Sequence, residues 1–147
     1  MEREEFIKNL GLGLVAVCSA SALAACSGKM VSPSPAPAPG GSGTVSVSLT
    51  NNLVNVGDQV VSGSVLMFRI ATGNSPSSFV ATQALCPHQH GNLNWINSQS
   101  LILCASHASE YTDTGSIIRQ PQSGGNTRAL KIYATSVTNG NLVVTVV

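Results

Sequence analysis

The feature that most constrains this chain is a pair of short stretches rich in cysteine and histidine. The stretches "CPHQHG" and "CASHASEY" hold two of the four cysteines and all three histidines of the 147 residues. Their pattern is C-x-H-x15-C-x2-H, formed by Cys86, His88, Cys104 and His107. Thiolates and imidazoles are the side chains that bind soft transition metals. If all four act together, the fold must bring two separated segments to one place.

The sequence around these stretches predicts an all-β domain. From Thr44 onward the chain contains runs rich in Val, Ile and Thr, punctuated by Gly, Asn and Pro, as is typical of antiparallel strands. The runs are "TVSVSLT", "VLMFRIA", "SFVATQAL", "LNWINSQSLILC", "ALKIYATSVT" and "NLVVTVV". No segment has a sustained helical period. Asn139 and Gly140 lie between the last two runs and predict a type I′ hairpin turn.

The run between the two Cys/His stretches predicts a hairpin. The segment "NWINSQSLIL" leads from the first stretch to the second, and a hairpin returns the chain to the end of the sheet from which it started. We therefore expect the two stretches to form loops that face each other.

The bulk composition fits one compact domain and excludes one class of function. The chain is 43% apolar and 9% charged, with a formal net charge of +1. It has no run or stripe of Lys and Arg that could neutralise a series of phosphates, so we expect no nucleic-acid binding.

The first 25 residues predict an export signal. Arg3 and Lys8 precede an apolar run over residues 10–25, which is short for a membrane span. The end of this run, "LAAC", resembles a bacterial lipobox, and that resemblance implies that Cys26 is acylated and becomes the first mature residue. We expect a lipid-anchored protein on the periplasmic side of a bacterial membrane or in the cell envelope. An uncleaved anchor and an ordinary secretory peptide are the alternatives.

A tether separates the acylated cysteine from the domain. The segment "SPSPAPAPGGSG" holds four of the seven prolines, and alternating proline favours extended polyproline II structure rather than a core. The predicted organisation is a signal peptide over 1–25, the acylated Cys26 and tether over 26–43, and a domain over 44–147.

The C-x-H-x15-C-x2-H pattern resembles the Rieske iron-sulfur motif, and the likeness extends over most of residues 44–147. It implies an antiparallel β-sandwich with a small cluster-binding subdomain of two loops, at about residues 84–123. It also implies one [2Fe-2S] cluster per chain, with Cys86 and Cys104 on one iron and His88 and His107 on the other.

The same resemblance assigns supporting roles to residues near the ligands. Ser109 falls where a hydroxyl donates to a bridging sulfide, and Tyr111 falls where a hydroxyl donates to the sulfur of the first-loop cysteine. Such bonds stabilise the reduced cluster. The segment "QPQSGG" matches the loop that covers the cluster, with Pro121 as its characteristic residue.

The sequence departs from the family pattern at three positions. Gly91 and Ser106 stand where high-potential members carry an extra cysteine in each loop, joined in a disulfide. We therefore expect loops held without a disulfide, as in the Rieske ferredoxins. His90 stands where the family commonly has glycine, and we expect it to be exposed rather than a ligand.

The resemblance implies a one-electron carrier, or a component of an exported oxidoreductase rather than a stand-alone catalyst. Its partner would be a redox protein or a quinol-oxidising membrane complex. A Rieske oxygenase would need a further iron site with two histidines and a carboxylate, and only His90 is left for it.

Two other interpretations of the four ligand residues stay open. One is a Cys2His2 zinc ion in an extracytoplasmic binding module, although zinc sites usually pair like ligands and here each arm is mixed. The other is simple burial of the four side chains without metal.

Overall fold

The computed structural model describes residues 42–147. The predicted signal peptide, Cys26 and nearly all of the tether lie outside the described residues. The strands are β1 Gly43–Ser48, β2 Gln59–Ser62, β3 Val65–Arg69, β4 Phe79–Gln83, β5 Leu93–Ile96, β6 Leu101–Cys104, β7 Glu110–Tyr111, β8 Ile117–Arg119, β9 Ala134–Thr138 and β10 Asn141–Val146. A single 3₁₀ turn at Pro76–Ser78 precedes β4. A second one, at Asn97–Gln99, connects β5 to β6.

The strands form three antiparallel sheets, which confirms the all-β prediction. Their orders are β1-β10-β9, β2-β3-β4 and β5-β6-β7-β8. We call the first two the base sheets and the third the site sheet. Within residues 42–147, no helix is long and apolar enough to span a bilayer.

Strand β3 is the centre of the domain because both of its faces are buried. Val65 and Met67 point into an apolar cluster shared with β1, β4 and β10. Leu66 and Phe68 point the other way, into a second cluster shared with β5, β6 and β7. Successive residues of a strand face opposite sides, so an uninterrupted apolar run joins two cores. Each such side chain contributes about 1.5–3 kcal/mol on burial.

Both predicted hairpins are confirmed. Asn139 and Gly140 join β9 to β10 with φ of 50° and 74°, and two positive φ values define the type I′ turn. The β5–β6 hairpin pairs Leu93 with Cys104. Just before it, an isolated bridge between Leu85 and Asn92 closes the first Cys/His stretch into a loop. The hairpin therefore returns the second stretch to the neighbourhood of the first.

Three strands were not predicted from the sequence. Strands β7 and β8 are two and three residues long, too short to show a period of two, and the four residues of β2, QVVS, do not alternate between polar and apolar. The run "ALKIYATSVT" was predicted as strand throughout, but its first half makes only one bridge, between Ile132 and Thr82. Whether these segments form strands depends on pairing with a partner that is distant in the sequence, and local composition does not reveal that pairing.

Candidate metal centre

The two Cys/His loops have the same backbone hydrogen bonds. In the first, the N–H of Cys86 donates to the Gly91 carbonyl at 2.8 Å, and the N–H four residues after the cysteine donates back to the Cys86 carbonyl at 2.9 Å. In the second, Cys104 donates to Ser109 at 2.9 Å, and the corresponding return bond to Cys104 is 3.1 Å. Each loop is therefore a closed turn that begins at its cysteine.

The fourth residue after each cysteine has a left-handed backbone. His90 has φ of 56° and Ala108 has φ of 54°. A residue with a Cβ costs about 1–2 kcal/mol in this conformation, which glycine adopts freely. Glycine at position 90 or 108 would avoid this cost. Here both loops carry the cost.

The fold brings the four predicted ligand residues together. The His88 and His107 rings are 5.1 Å apart between centroids, at 76°. Cys86 and Cys104 are free and buried, with 0% and 2% of their surface exposed. Both histidines are half-buried.

Three polar atoms at this place are buried without a hydrogen-bond partner among the described residues. They are Nδ1 of His88, Nδ1 of His107 and Oγ of Ser109. Buried polar atoms in native proteins are nearly always paired. Two imidazole nitrogens and two adjacent thiols form the donor set that a [2Fe-2S] centre of mixed ligation requires. The residues present therefore fit such a group, with the Ser109 hydroxyl as a further donor.

Hydrogen bonds prepare the Cys86 sulfur to act as a thiolate. Burial alone raises the pKa of the thiol, but hydrogen bonds to Tyr111, the His88 backbone, Cys104 and Thr127 outweigh it and lower the pKa below its ordinary value. The Cys86 sulfur lies 3.2 Å from the Tyr111 hydroxyl. Thiolate is the form that binds metal, so this environment favours binding.

The Tyr111 hydroxyl is held from both sides. It contacts the Cys86 sulfur, and it lies 2.6 Å from Oγ1 of Thr127. Burial, followed by the hydrogen bond to Cys86, raises the pKa of Tyr111 to about 12, so the hydroxyl keeps its proton near neutral pH. The Thr127 N–H in turn donates to Oε1 of Gln120 at 2.9 Å. Thr127 thus fixes the direction of the Tyr111 hydroxyl.

Sequence reasoning did not find Thr127. It lies beyond the segment predicted to bind the cluster, and a single threonine in a polar stretch has no recognisable motif. Only its position beside the predicted covering loop could have suggested a role.

The predicted covering loop contacts both histidine-bearing loops. Pro121 is buried. The Gln122 N–H donates to the His107 carbonyl at 2.9 Å. Gly125, with φ of 80°, approaches His88 so closely that a Cβ there would lie 3.1 Å from Nε2. The segment therefore packs against the two loops from a third side.

The arrangement does not support a single zinc ion. Among residues 42–147, no three Cys, His, Asp or Glu side chains converge on one metal position. A tetrahedral zinc site needs its donor atoms at about 2.0–2.3 Å from one ion.

Comparison with known proteins identifies the domain. A sequence model of the Rieske [2Fe-2S] domain matches residues 47–134. The chain belongs to the Rieske [2Fe-2S] family. This Rieske protein therefore has a [2Fe-2S] cluster as its cofactor.

Two individual proteins resemble this Rieske domain. The cytochrome b6-f complex iron-sulfur subunit of Chlorobaculum tepidum is 28% identical over 88 residues, which cover 58% of this chain and 46% of that subunit. The chain thus matches less than half of that relative's length. The crystal structure of the plasma membrane Rieske protein PetC3 from Synechocystis PCC 6803 aligns with a TM-score of 0.50 and 24% identity, covering 68% of this chain and 97% of that one. This second match confirms the fold.

Proposed function

We propose that this Rieske protein carries single electrons outside the cytoplasmic membrane, as a carrier or as the electron-transfer component of an oxidoreductase. Cys86 and Cys104 would hold one iron, and His88 and His107 the other. The observation that supports this most is the pair of buried, unpartnered imidazole Nδ1 atoms beside two buried thiols.

The chemistry of the donor set suits this role. The bound [2Fe-2S] cluster supplies a centre that accepts and releases one electron. Two neutral imidazoles in place of two thiolates remove negative charge and raise the reduction potential relative to all-cysteine clusters. The hydroxyls of Ser109, which has no hydrogen-bond partner within residues 42–147, and of Tyr111, beside the Cys86 sulfur, would stabilise added negative charge. The partly exposed rings of His88 and His107 would be the edge that a redox partner approaches.

Metal and sulfide analysis of the purified protein tests the proposed cofactor site. We expect about two irons and about two acid-labile sulfides per chain, with a red-brown colour. Stoichiometric zinc without sulfide would contradict the proposal and favour the zinc-binding module.

We further propose that the protein is an exported lipoprotein, with a signal peptide over 1–25 and a lipid on Cys26. The support is the apolar run that stops at "LAAC", followed by a proline-rich tether. Replacing Cys26 by Ser should leave an uncleaved chain without lipid mass, whereas Cys18→Ser is the matched control and should be processed normally. A wild-type mature chain that lacks lipid mass and is free in the soluble fraction would refute the anchor.

The proposed partner is a redox protein or a quinol-oxidising membrane complex. One relative is a subunit of a cytochrome b6-f complex and another is a plasma membrane protein. Adding a short-chain quinol to native membranes should reduce the cluster and bleach the Rieske absorbance as fast as the membranes oxidise the quinol. If only a soluble reductant bleaches it, the quinol-linked role is wrong.

A further inference from the structure

A cavity of about 330 Å³ lies beside the first Cys/His loop. Leu85 and Pro87 of that loop form part of its wall, and Val146 of β10 forms another part. The cavity thus lies where the loop meets the base sheets. Its volume is at the lower end of the range of about 300–1,000 Å³ found for small-molecule sites.

The cations of the domain are distributed unevenly around this cavity. Residues 42–147 contain four Arg and Lys residues. Arg69 is buried and bonded to the Gly73 carbonyl at 2.6 Å, and Arg119 pairs with Glu110 at 3.0 Å.

The remaining two cations, Arg128 and Lys131, both line the cavity. No Asp or Glu lines it. Lys131 donates a long hydrogen bond of 3.4 Å to the main-chain oxygen of Val147, the last residue of the chain, which also lines the cavity. Among the four Arg and Lys residues of the described domain, Arg128 is therefore the one whose side chain has no partner, and it lies at this recess.

The Tyr133 hydroxyl is a further polar group at this cavity. Tyr133 is 8% exposed and lines the cavity, and none of the side-chain hydrogen bonds within residues 42–147 involves its hydroxyl. Burial raises the pKa of Tyr133, while the nearby Arg128 charge opposes that rise, so the hydroxyl remains a donor near neutral pH. The hydroxyl can therefore donate a hydrogen bond to an acceptor bound in the cavity.

We propose that this cavity binds a small organic carboxylate. The Arg128 guanidinium would pair with the carboxylate, since its planar fork matches the two oxygens, with Lys131 and the Tyr133 hydroxyl as further donors. The apolar side chains of Leu85, Pro87 and Val146 would contact the body of the molecule. An inorganic anion would satisfy the charges but leave this apolar wall unused.

The ligand would act on the redox centre through charge. Cys86 lines the same cavity. A bound carboxylate therefore places negative charge near the proposed cluster, which disfavours adding an electron and lowers the reduction potential. By linkage, the oxidised protein binds the carboxylate more tightly than the reduced protein. This consequence rests on the proposed function, whereas the binding itself does not.

Calorimetric titration of the intact holoprotein at low ionic strength tests the site, with benzoate as probe. Benzamide has nearly the same shape without the charge, and inorganic phosphate has the charge without the apolar body. We expect one benzoate per chain, and at least about tenfold weaker binding of each comparator, because one charge-assisted pair or one buried apolar body is worth about that factor. Comparable affinity for either comparator, or no benzoate binding at tens of millimolar, overturns the proposal.

Variants separate the cavity from general surface charge. Arg128→Gln should weaken benzoate binding about tenfold or more, and Tyr133→Phe several-fold, with the visible spectrum of the cluster unchanged as evidence of folding. Arg119→Gln is the matched control, because it removes an exposed arginine outside the cavity, and it should bind like wild type. An equal loss of benzoate affinity in Arg119→Gln and Arg128→Gln would show a general effect of surface charge rather than a specific site.

A potential measurement distinguishes this proposal from the proposed function. Saturating benzoate should lower the potential of wild type and leave that of Arg128→Gln nearly unchanged. Binding without any shift would overturn the coupling to the redox centre but retain the carboxylate site. Failure to find iron would overturn the proposed function and leave the calorimetric result standing.

Discussion

The two Cys/His loops share one backbone conformation but are held in place differently. The second loop connects β6 to β7, so hydrogen-bonded strands flank it on both sides. The first loop is flanked only by an isolated bridge, between Leu85 and Asn92, and by a backbone hydrogen bond of 2.9 Å from the Ala105 N–H to the Asn92 carbonyl. Side chains add further support, through the contacts of Cys86 with Tyr111 and of Tyr111 with Thr127.

This difference indicates how one local geometry is produced twice. The cysteine starts a turn whose fourth following residue is left-handed, and that pattern is local to each loop. The sheet anchors the second loop, whereas a buried hydrogen-bond chain anchors the first. We therefore expect changes to that chain to affect the first loop more than the second.

Loss of a histidine ligand should have the largest effect and should be equal in the two loops. His88→Ala and His107→Ala each remove one of two imidazole donors, and metal retention depends on the complete set. Both should lose iron, sulfide and visible absorbance. His90→Ala is the matched control, since His90 is exposed, and it should keep all three. A cluster retained in either ligand variant would contradict the assignment.

A methyl group at Gly91 should be the next most damaging change. A Cβ at this position would lie 2.8 Å from Cβ of Ser106 and 2.9 Å from the Cys104 sulfur. Gly91→Ala should therefore cost about 1–3 kcal/mol by overpacking, measured by denaturant unfolding. Ser106→Ala alone should be nearly neutral, because Ser106 is exposed.

The double variant Gly91→Ala with Ser106→Gly checks this contact. It should recover part of the loss, because removing the Ser106 side chain makes room for the methyl group. No recovery would mean that the strain comes from another neighbour.

The buried hydrogen-bond chain should control the reduction potential through the first loop. Tyr111→Phe removes the hydroxyl next to the Cys86 sulfur and should lower the potential by on the order of 60 mV, one tenfold change for a one-electron couple. Thr127→Val should lower it by less, and Thr127→Ser, which keeps the hydroxyl, should leave it close to wild type. Voltammetry of the three variants measures this order.

Ser109→Ala provides the comparison in the second loop. This variant removes a buried hydroxyl that has no hydrogen-bond partner in the described part of the chain. The reduction potential should therefore fall, while thermal stability hardly changes. If Tyr111→Phe and Ser109→Ala destabilise the protein equally, the proposed difference in anchoring is wrong.

Glycine at the left-handed positions should have the smallest effect, and a favourable one. His90→Gly and Ala108→Gly each relieve a residue with positive φ, at the expense of a more flexible unfolded chain. We expect each to stabilise the protein by at most about 1 kcal/mol in denaturant unfolding. Because the two φ values agree within a few degrees, the gains should be similar. A gain in one loop alone would show that the loops carry different strain.

Local pattern was sufficient for much of the fold and for the expectation that the two Cys/His stretches meet; the assignment of the ligands stays a prediction. Runs of alternating or continuous apolar residues predicted β1, β3 and β4, because the period of a strand is visible within a few residues. Asn139 and Gly140 predicted the type I′ turn, because few residues accept positive φ. The Cys/His spacing predicted which residues meet, because a hairpin returns the chain to its starting edge. The export signal and Cys26 lie outside the described residues and stay predictions.

Only the tertiary structure decided how the ligand residues are supported. The Cys86, Tyr111 and Thr127 side chains meet across separations of 25 and 16 residues, so no local pattern could reveal Thr127. The close approach of Gly91 to Ser106 and the burial of both imidazole Nδ1 atoms likewise depend on how the loops pack. The cavity at Arg128, Lys131 and Tyr133 exists only where the first loop meets the base sheets. Backbone conformation and turn formation depend on residues that are near neighbours in the chain, so the sequence predicts them. Burial and hydrogen bonding between distant side chains depend on the packed whole.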